Sequence, residues 1–530
     1  MQGVNWIFSK LFSQYKVINS YVREILKTTN SAIVIFSTIK TGVTMKTKLK
    51  SNIKFLQDKF GNSKELVVKE ISTSACDYAV VYFMGLTDTY QLSETVIRPL
   101  LELKTKSSPD TITKTLPLAE TEKQKDDEKI VESILKGKGV LLIDGYADAI
   151  ILGIDKFKER SIAEPPTSTV LKGPRAGFVE SLKTNLSILR KILATPSLRT
   201  TSTSVGKHTK TTITVVYIDG VADPKIVETV KNRISKIDID GIIDSYYITQ
   251  FLEEKKNSMF KQIGNSEKPD IIAGKLLEGR VAIIVDGSPM VLTVPFIYIE
   301  DIQSSDDYYS NGKRAAFVRW LRLISLIIST LTPALYIAII LHHYKAIPLK
   351  FLITIINTTK GLPLTPFAEI LFVLLLFEIL YEASLRMPKY LGLALSIVGA
   401  LILGDTAVKA GLISPPAVMI VAISGLSIYC VPDQAPQLYL LRILFTFAGG
   451  ALGIFGIIAL SIFFLLYLSD FDSYGGAYFA PISPLVSSDL KDIMVRTNIK
   501  NMTTRPMSFN KNIGNKTRQR RNKNEKNNFV

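Results

Sequence analysis

The sequence predicts an α/β N-terminal half made of two similar tandem subdomains, followed by an all-α polytopic transmembrane domain. Two observations carry this. Nearly all the long apolar runs of the 530 residues fall after residue 320, whereas charged residues are scattered through everything before it. Two strand-and-turn segments also recur. Val80-Val81-Tyr82-Phe83-Met84-Gly85 reads like Val215-Val216-Tyr217-Ile218-Asp219-Gly220, 135 positions on, and Gly137 to Gly145 reads like Gly279 to Gly287, 142 positions on. Two matches at nearly one offset imply duplication of a whole unit, and a chain this long exceeds a single core.

Each copy shows the same order. A Val- and Tyr-rich strand leads into a helix, Ser93 to Lys104 in the first copy and Pro224 to Ile237 in the second. In the second helix Val227, Val230 and Ile234 fall on one face at helical spacing. A strand, a glycine-containing turn and a further strand close the copy, as in Val140 to Ile143 and Ala149 to Ile154. Asp144-Gly145 and Asp286-Gly287 suit turns, because glycine enters positive φ at little cost. A metal or phosphate role would need a second acidic cluster beside each pair, and neither has one.

Between the copies Gly173 and Pro174 break structure, and Gly177 to Leu193 predicts an amphipathic helix. Arg175 and Glu180 can pair with each other or with a partner, or simply line a solvated face. Ser107 to Lys129, Ser161 to Pro174 and Thr195 to Thr212 read as loops, the last Ser/Thr/Lys-rich and without periodicity. The resulting division is a variable basic arm at 1–49, a first subdomain at 50–160, a connector helix with loops at 161–212, and a second subdomain at 213–305. A membrane domain of about five or six spans follows at 315–470, then a C-terminal segment with a basic tail at 471–530.

Within the membrane half, Leu323 to Leu341 is a run of uncharged, mostly apolar residues. At 1.5 Å per residue it covers about 28 Å, near the hydrocarbon thickness. Arg314, Arg319 and Arg322 precede it and predict a cytoplasmic N-terminal side. Leu412 to Val431 and Ile443 to Leu468 are further spans, and Tyr390 to Gly404 is a shorter, glycine-rich one. Pro366 to Leu385 is apolar but carries Glu369, Glu378 and Glu382. A carboxylate at the helix centre costs about 2–3 kcal/mol even on a lenient insertion scale, so these must face protein, water or an interface. Glu382 and Arg386 are spaced to pair at the helix end, whereas Glu378 has no basic residue three or four positions away. Glu378 is open to two readings, an interhelical hydrogen bond or a water-filled path or assembly surface. At 100° per residue Glu369 lies about half a turn round from Glu378 and points to an interface or a neighbouring helix. Two basic ends on one side require an even number of spans. The sixth is either Pro348 to Asn357 or a division of Gln437 to Leu468 at Gly449-Gly450.

The net charge of +17 is partly concentrated in the tail, where Lys491 to Val530 holds eleven basic and two acidic residues. Next to apolar spans this points to anionic lipid rather than nucleic acid. Met1 to Lys50 carries only a short apolar stretch, Ala32 to Phe36, so a cytoplasmic N-terminal half is expected. With two cysteines, Cys76 and Cys430, and three histidines, His208, His342 and His343, a disulfide framework, zinc site or catalytic triad is not expected. Gly137-Lys138-Gly139 is too short for a phosphate loop, and no enzyme activity or cofactor is expected.

Several segments together resemble the A subunits of spore germinant receptors, the GerA family of spore-forming Firmicutes, from about residue 50 to 485. They are Lys172-Gly173-Pro174-Arg175-Ala176-Gly177-Phe178 with Glu180-Ser181-Leu182-Lys183-Thr184-Asn185, then Tyr217 to Pro224, Leu277 to Gly287 and Asp306-Asp307-Tyr308-Tyr309. Pro366-Phe367-Ala368-Glu369 and Gly411 to Pro415 add to them. Ala176 departs from the commonly polar residue, and Asp405 stands where Glu or Gln is usual. The resemblance marks Gly173, Pro174, Arg175, Gly177, Glu180 and Asn185 as coupling candidates. Glu369, Glu378, Glu382 and Asp405 are the candidate intramembrane or pore carboxylates. It further implies the inner membrane of the dormant spore, a transporter-like B subunit that binds the nutrient, a lipoprotein C subunit, homo-oligomers and a nutrient-gated ion channel.

Overall fold

The computed structural model describes residues 45–103, 105–156, 172–386, 405–492, 496–497 and 505–508. The chain divides into two units, Met1–Phe157 and Lys158–Val530. Each holds a five-stranded antiparallel sheet, and the two sheets share one strand order.

In the first unit α1 (Leu49–Lys59) precedes the strands β1 (Leu66–Ser72), β2 (Asp77–Phe83), β3 (Thr121–Gln124), β4 (Gly139–Ile143) and β5 (Ala149–Leu152). They align as β1-β2-β4-β5-β3. Alternation sets the faces. Ala79, Val81 and Phe83 meet α1 and α2 (Asp127–Leu135), whereas Tyr78 and Val80 meet Leu92, Val96 and Leu100 of the helical segment 89–102. Each of the fully buried Val and Leu side chains among these contributes about 1.5–3 kcal/mol. The core extends back to Met45, ahead of the boundary expected at residue 50.

The second unit repeats the plan. Its elements are α3 (Leu182–Ile192), β6 (Leu198–Val205), β7 (Thr211–Ile218), α4 (Pro224–Ser235), β8 (Gly264–Ser266), α5 (Pro269–Glu278), β9 (Val281–Val285) and β10 (Val291–Val294), with strand order β6-β7-β9-β10-β8. Val227, Val230 and Ile234 of α4 are buried on one face of the sheet, and Leu186 and Leu189 of α3 on the other.

The duplication extends to single hydrogen bonds. The Asn185 amide donates to Val179 O at 2.6 Å and accepts from Val179 N at 2.9 Å; Asn52 makes the same pair with Lys46 at 2.6 and 2.8 Å. Asp286 accepts from Leu182 N at 3.1 Å, and Asp144 from Leu49 N at 3.0 Å. The two Asp-Gly pairs are therefore turns whose carboxylates hold the start of the first helix in each copy. Asp88 and Asp223, 135 positions apart like the strands before them, both cap helices, accepting from Tyr90 N and Lys225 N.

Two segments expected as loops are structured. Thr195 to Thr212 contains β6, paired to β7 from Leu198↔Ile218 to Val205↔Thr211. Its Ser/Thr run lacks apolar alternation, but threonine fits a pleated edge and backbone pairing supplies the order. The "connector" is thus the first helix and strand of the second subdomain. Ser107 to Lys129 holds the helix Pro109–Thr115, β3 and the first turn of α2. Of the third expected loop, residues 161–171 lie outside the described residues.

The helical part contains α6 (Gly312–His342), α7 (Pro366–Arg386), α8 (Pro415–Ile428) and α9 (Ala435–Ser469). Two helices, Gly312–His342 and Pro432–Ser469, are long and apolar enough to cross a membrane. A soluble core helix of that length would be mostly buried, yet only 22% of the apolar window of the second is. Phe447, Leu452, Phe455, Ile462 and Phe463 stand exposed on it, a surface suited to lipid.

That second helix is not straight. Gly453 has φ 64° and ψ −146°, and Phe445 and Phe464 lie with ring centroids 5.9 Å apart. Nineteen residues of continuous helix would separate them by about 28 Å. The chain therefore reverses at Gly453, giving two antiparallel arms, 435–452 and 454–469, of about 27 and 24 Å. The sequence left two sources for a sixth span. Leu349–Thr359 has 11 residues, about 16 Å, too short to cross. The division of the last apolar run is realised, at Gly453 rather than Gly449-Gly450. The expected span Tyr390 to Gly404 lies wholly outside the described residues.

Candidate functional site

Two polar regions stand out in the second unit, one where the subdomain meets the helices and one inside the bundle.

At the junction, Ser304 caps a short helix, Ser305–Tyr308, that delivers Asp307 to the start of α6. Asp307 accepts from Arg319 Nε at 2.9 Å and from Arg322 Nη1 at 2.9 Å. Arg319 also reaches Asp492, and Arg496 donates to the carbonyls of Ser310 and Tyr308 at 2.6 and 3.0 Å. Arg319 and Arg322, read in the sequence as flanking charges, are thus neutralised within the protein; Arg314 is exposed.

The sequence motif around Gly173 docks here. Gly173 has φ 123°, and a Cβ there would lie 2.5 Å from Cδ2 of Tyr309. Lys172 N donates to Asp306, and Phe178 N to Glu267 O at 2.7 Å. Two separately noted motifs, 172–178 and 306–309, are therefore one contact. Gly177 and Asn185 are buried, whereas Pro174, Arg175 and Glu180 are exposed; the Glu180 carbonyl accepts from Gly287 N at 2.8 Å.

Behind Tyr309 lies a buried charge cluster that the sequence did not reveal. Glu300 pairs with both Arg280 and Lys275. Burial would raise the Glu300 carboxyl, but the two cations outweigh it and hold it at about 2. Burial pushes Lys275 down. Neighbouring Asp301 accepts from Lys261 at 3.0 Å, yet burial, Asp433 and Glu300 raise it to about 6. Gly264 leaves room for this cluster, since a Cβ there would come within 2.4 Å of Thr293 and 2.9 Å of Glu300.

Inside the bundle, the four candidate carboxylates go to different places. Glu369 is buried and accepts from the backbone N–H of Ser414, the residue capping α8, where a helix N-terminus favours negative charge. Glu382 pairs with Arg386 at 2.8 Å, and Asp405 with Lys409 at 2.8 Å, both pairs exposed. Glu378 pairs with Arg442 of α9. Arg442 is 2% exposed and also donates to Ser424 Oγ at 3.3 Å, and Ser424 donates to Ser329 O at 2.6 Å. One polar seam therefore crosses α7, α9, α8 and α6. Glu378 and Arg442 are 64 positions apart, so no local spacing could have paired them.

A family model described as Bacillus/Clostridium GerA spore germination protein matches residues 54–508. Spore germination protein KA of Bacillus subtilis (strain 168) is 36% identical over 84% of this chain and 84% of its own length. The uncharacterized membrane protein YfkQ of the same organism is 35% identical over 92% of this chain and 94% of its own. Spore germination protein A1 is 32% identical over 85% and 94%. Among solved structures, the N-terminal domain of the A subunit of the Bacillus megaterium spore germinant receptor GerK3 is 28% identical, with a TM-score of 0.39 over 49% of this chain and 99% of that one. The match across most of the described chain, on both the α/β units and the helices, makes this protein a member of the GerA family of spore germination proteins.

Proposed function

We propose that this chain is the A-type membrane subunit of a nutrient germinant receptor, that it has no enzymatic role, and that its bundle opens a path for cations when the receptor is triggered. Its seat is the inner membrane of the spore, with both α/β units on the core side. It assembles as a homo-oligomer with a transporter-like B subunit, which binds the nutrient, and a lipoprotein C subunit. The observation that carries the conducting role is the Glu378–Arg442 pair. It lies among apolar helices, and the Glu378 side chain retains 27% of its exposure while Arg442 is sealed in. A carboxylate held by one internal cation and still reachable can exchange that partner for a passing ion. Recording from the reconstituted complex tests this: compared at equal amounts of assembled complex, Glu378→Gln should show nutrient-evoked cation current reduced several-fold. Unchanged current would remove the charge from the conduction path.

The same pair also suits a non-conducting scaffold, because it ties α7 to α9. The 35% identity to YfkQ, whose name gives no receptor role, also suits a related spore-membrane paralogue. Absence of any nutrient-evoked current in the wild-type complex would favour these readings.

A further inference from the structure

The outward face of α6 changes its chemistry in order along the helix. Lys313, Arg314, Phe317, Trp320, Ile324 and Ile327 are exposed, Phe317 at 69% and Trp320 at 44%. At 100° per residue they fall within one arc of about 140°. Ala315, Arg319, Ser325 and Ser329 occupy the other side and are buried.

The basic side chains divide between the two sides. Arg319 and Arg322 pair with Asp307 inside the protein. Lys313 and Arg314 are exposed, and among the described residues no carboxylate pairs with either. Ahead of them on the same face lie Phe317 and Trp320, and beyond those the aliphatic Ile324 and Ile327. In water the last four would form an unbroken apolar strip on a helix whose other side is already packed, so the strip calls for a cover. Cations, then aromatic rings, then aliphatic chains is also the order of environments met on entering a bilayer, from phosphates through the interface to hydrocarbon.

Helix length sets the depth. At 1.5 Å per residue, Trp320 to Leu341 covers about 31 Å, against a hydrocarbon core of about 30 Å. With Trp320 at one boundary, Phe317 lies in the headgroup layer, and the backbone of Lys313 and Arg314 lies about 9–10 Å outside the hydrocarbon. Long basic side chains bridge that distance to the phosphates.

We propose that this stripe is a binding surface for anionic phospholipid in the leaflet on the side of the second subdomain. Lys313 and Arg314 take the phosphates, and Phe317 and Trp320 lie among the headgroups and upper acyl chains. Each basic residue at an anionic surface gains roughly fivefold in affinity, and here two stand on one face. The buried side of the same turns carries Arg319 and Arg322 on Asp307, so lipid and the junction grip opposite sides of one helix entrance. Binding requires that α6 cross a bilayer and is independent of conduction through the bundle.

The test uses the full chain with Trp6→Phe, which leaves Trp320 as its sole tryptophan. It is placed in phosphatidylcholine nanodiscs, and quenching of its fluorescence by nitroxide-labelled lipids is measured. A label high on the acyl chain should quench at least twice as strongly as one near the chain end. At equal mole fraction, phosphatidylglycerol with the upper label should quench at least threefold more than phosphatidylcholine with the same label. Lys313→Gln with Arg314→Gln should bring that ratio close to one. Lys345→Gln with Lys350→Gln, both exposed and beyond the far end of α6, should leave it unchanged. The depth comparison needs neither basic-residue variant, so a folding defect in one of them cannot mask the outcome. The proposal is overturned if neither label quenches Trp320, as when a second copy covers the stripe, or if the chain-end label quenches more. Equal quenching by the two headgroup classes overturns it too, as does a preference that survives loss of Lys313 and Arg314. So does a preference abolished by inorganic phosphate but not by sodium chloride of equal ionic strength, which would make the ligand free phosphate.

Discussion

Arg442 of α9 and Glu378 of α7 form an ion pair across two helices, with the arginine sealed in the bundle and the carboxylate partly open. Removing one partner of such a pair strands the other, whereas removing both does not. Arg442→Met alone should cost about 3–5 kcal/mol, and Arg442→Met with Glu378→Leu should recover most of it. Thermal unfolding of the full chain in detergent reads this. If the double variant is no more stable than the single one, the pair is not what holds α7 to α9.

Gly453 reverses the chain in a conformation that essentially only glycine adopts, and a Cβ there would meet His342 at 3.0 Å. Gly453→Ala is expected to cost about 1–3 kcal/mol and to splay the two arms of α9. Cysteines at Phe445 and Phe464, in a chain with Cys76 and Cys430 replaced by serine, report the result. A short bifunctional reagent should join them efficiently when Gly453 is present and poorly after the substitution. Equal yields would mean that the reversal does not depend on this residue.

Glu300 and Asp301 predict opposite contributions to acid stability. The Glu300 carboxyl is held at about 2 against burial by Arg280 and Lys275, below the ordinary 4.5. Its stabilisation, on the order of 3 kcal/mol, is present above pH 4.5 and is lost as pH falls towards 2. Asp301 is raised by burial to about 6 from 3.8, so it favours the folded state below pH 3.8 and that contribution is lost as pH rises through 6. In denaturant titrations across pH, Glu300→Gln should flatten the acid-side decline and Asp301→Asn the decline between pH 4 and 6. Wild-type slopes in both variants would contradict the cluster.

The duplicated α/β architecture was readable because its signal is local and occurs twice. Val80–Gly85 and Val215–Gly220 are central strands and turns, the parts most constrained by burial on both faces. The edge strand Leu198–Val205 was missed because the six residues between Leu198 and Val205 are all polar, so no apolar alternation marks it and only pairing with β7 makes it a strand. In the helices, apolar length located the membrane half. Nothing in sequence said that Gly453 would turn the chain while Gly449 would merely sit on the Ala334 carbonyl. The charge clusters were the least readable. Glu300, Arg280 and Lys275, like Glu378 and Arg442, come from separate elements and meet only through the tertiary fold.

The bundle begins and ends on the same body. The chain leaves the second subdomain through Asp307 and Arg319, and after the last arm of α9 it returns, with the Tyr478 hydroxyl on Lys261 O at 2.7 Å and the Tyr474 hydroxyl on Leu252 O at 2.8 Å. Mechanically this is a closed loop rather than a tail trailing behind a head. A twist of the sheet loads the first and last helices together, with opposite sense along the chain. The middle helices, α7 among them, carry the strain between those two fixed points, and they are the ones free to yield.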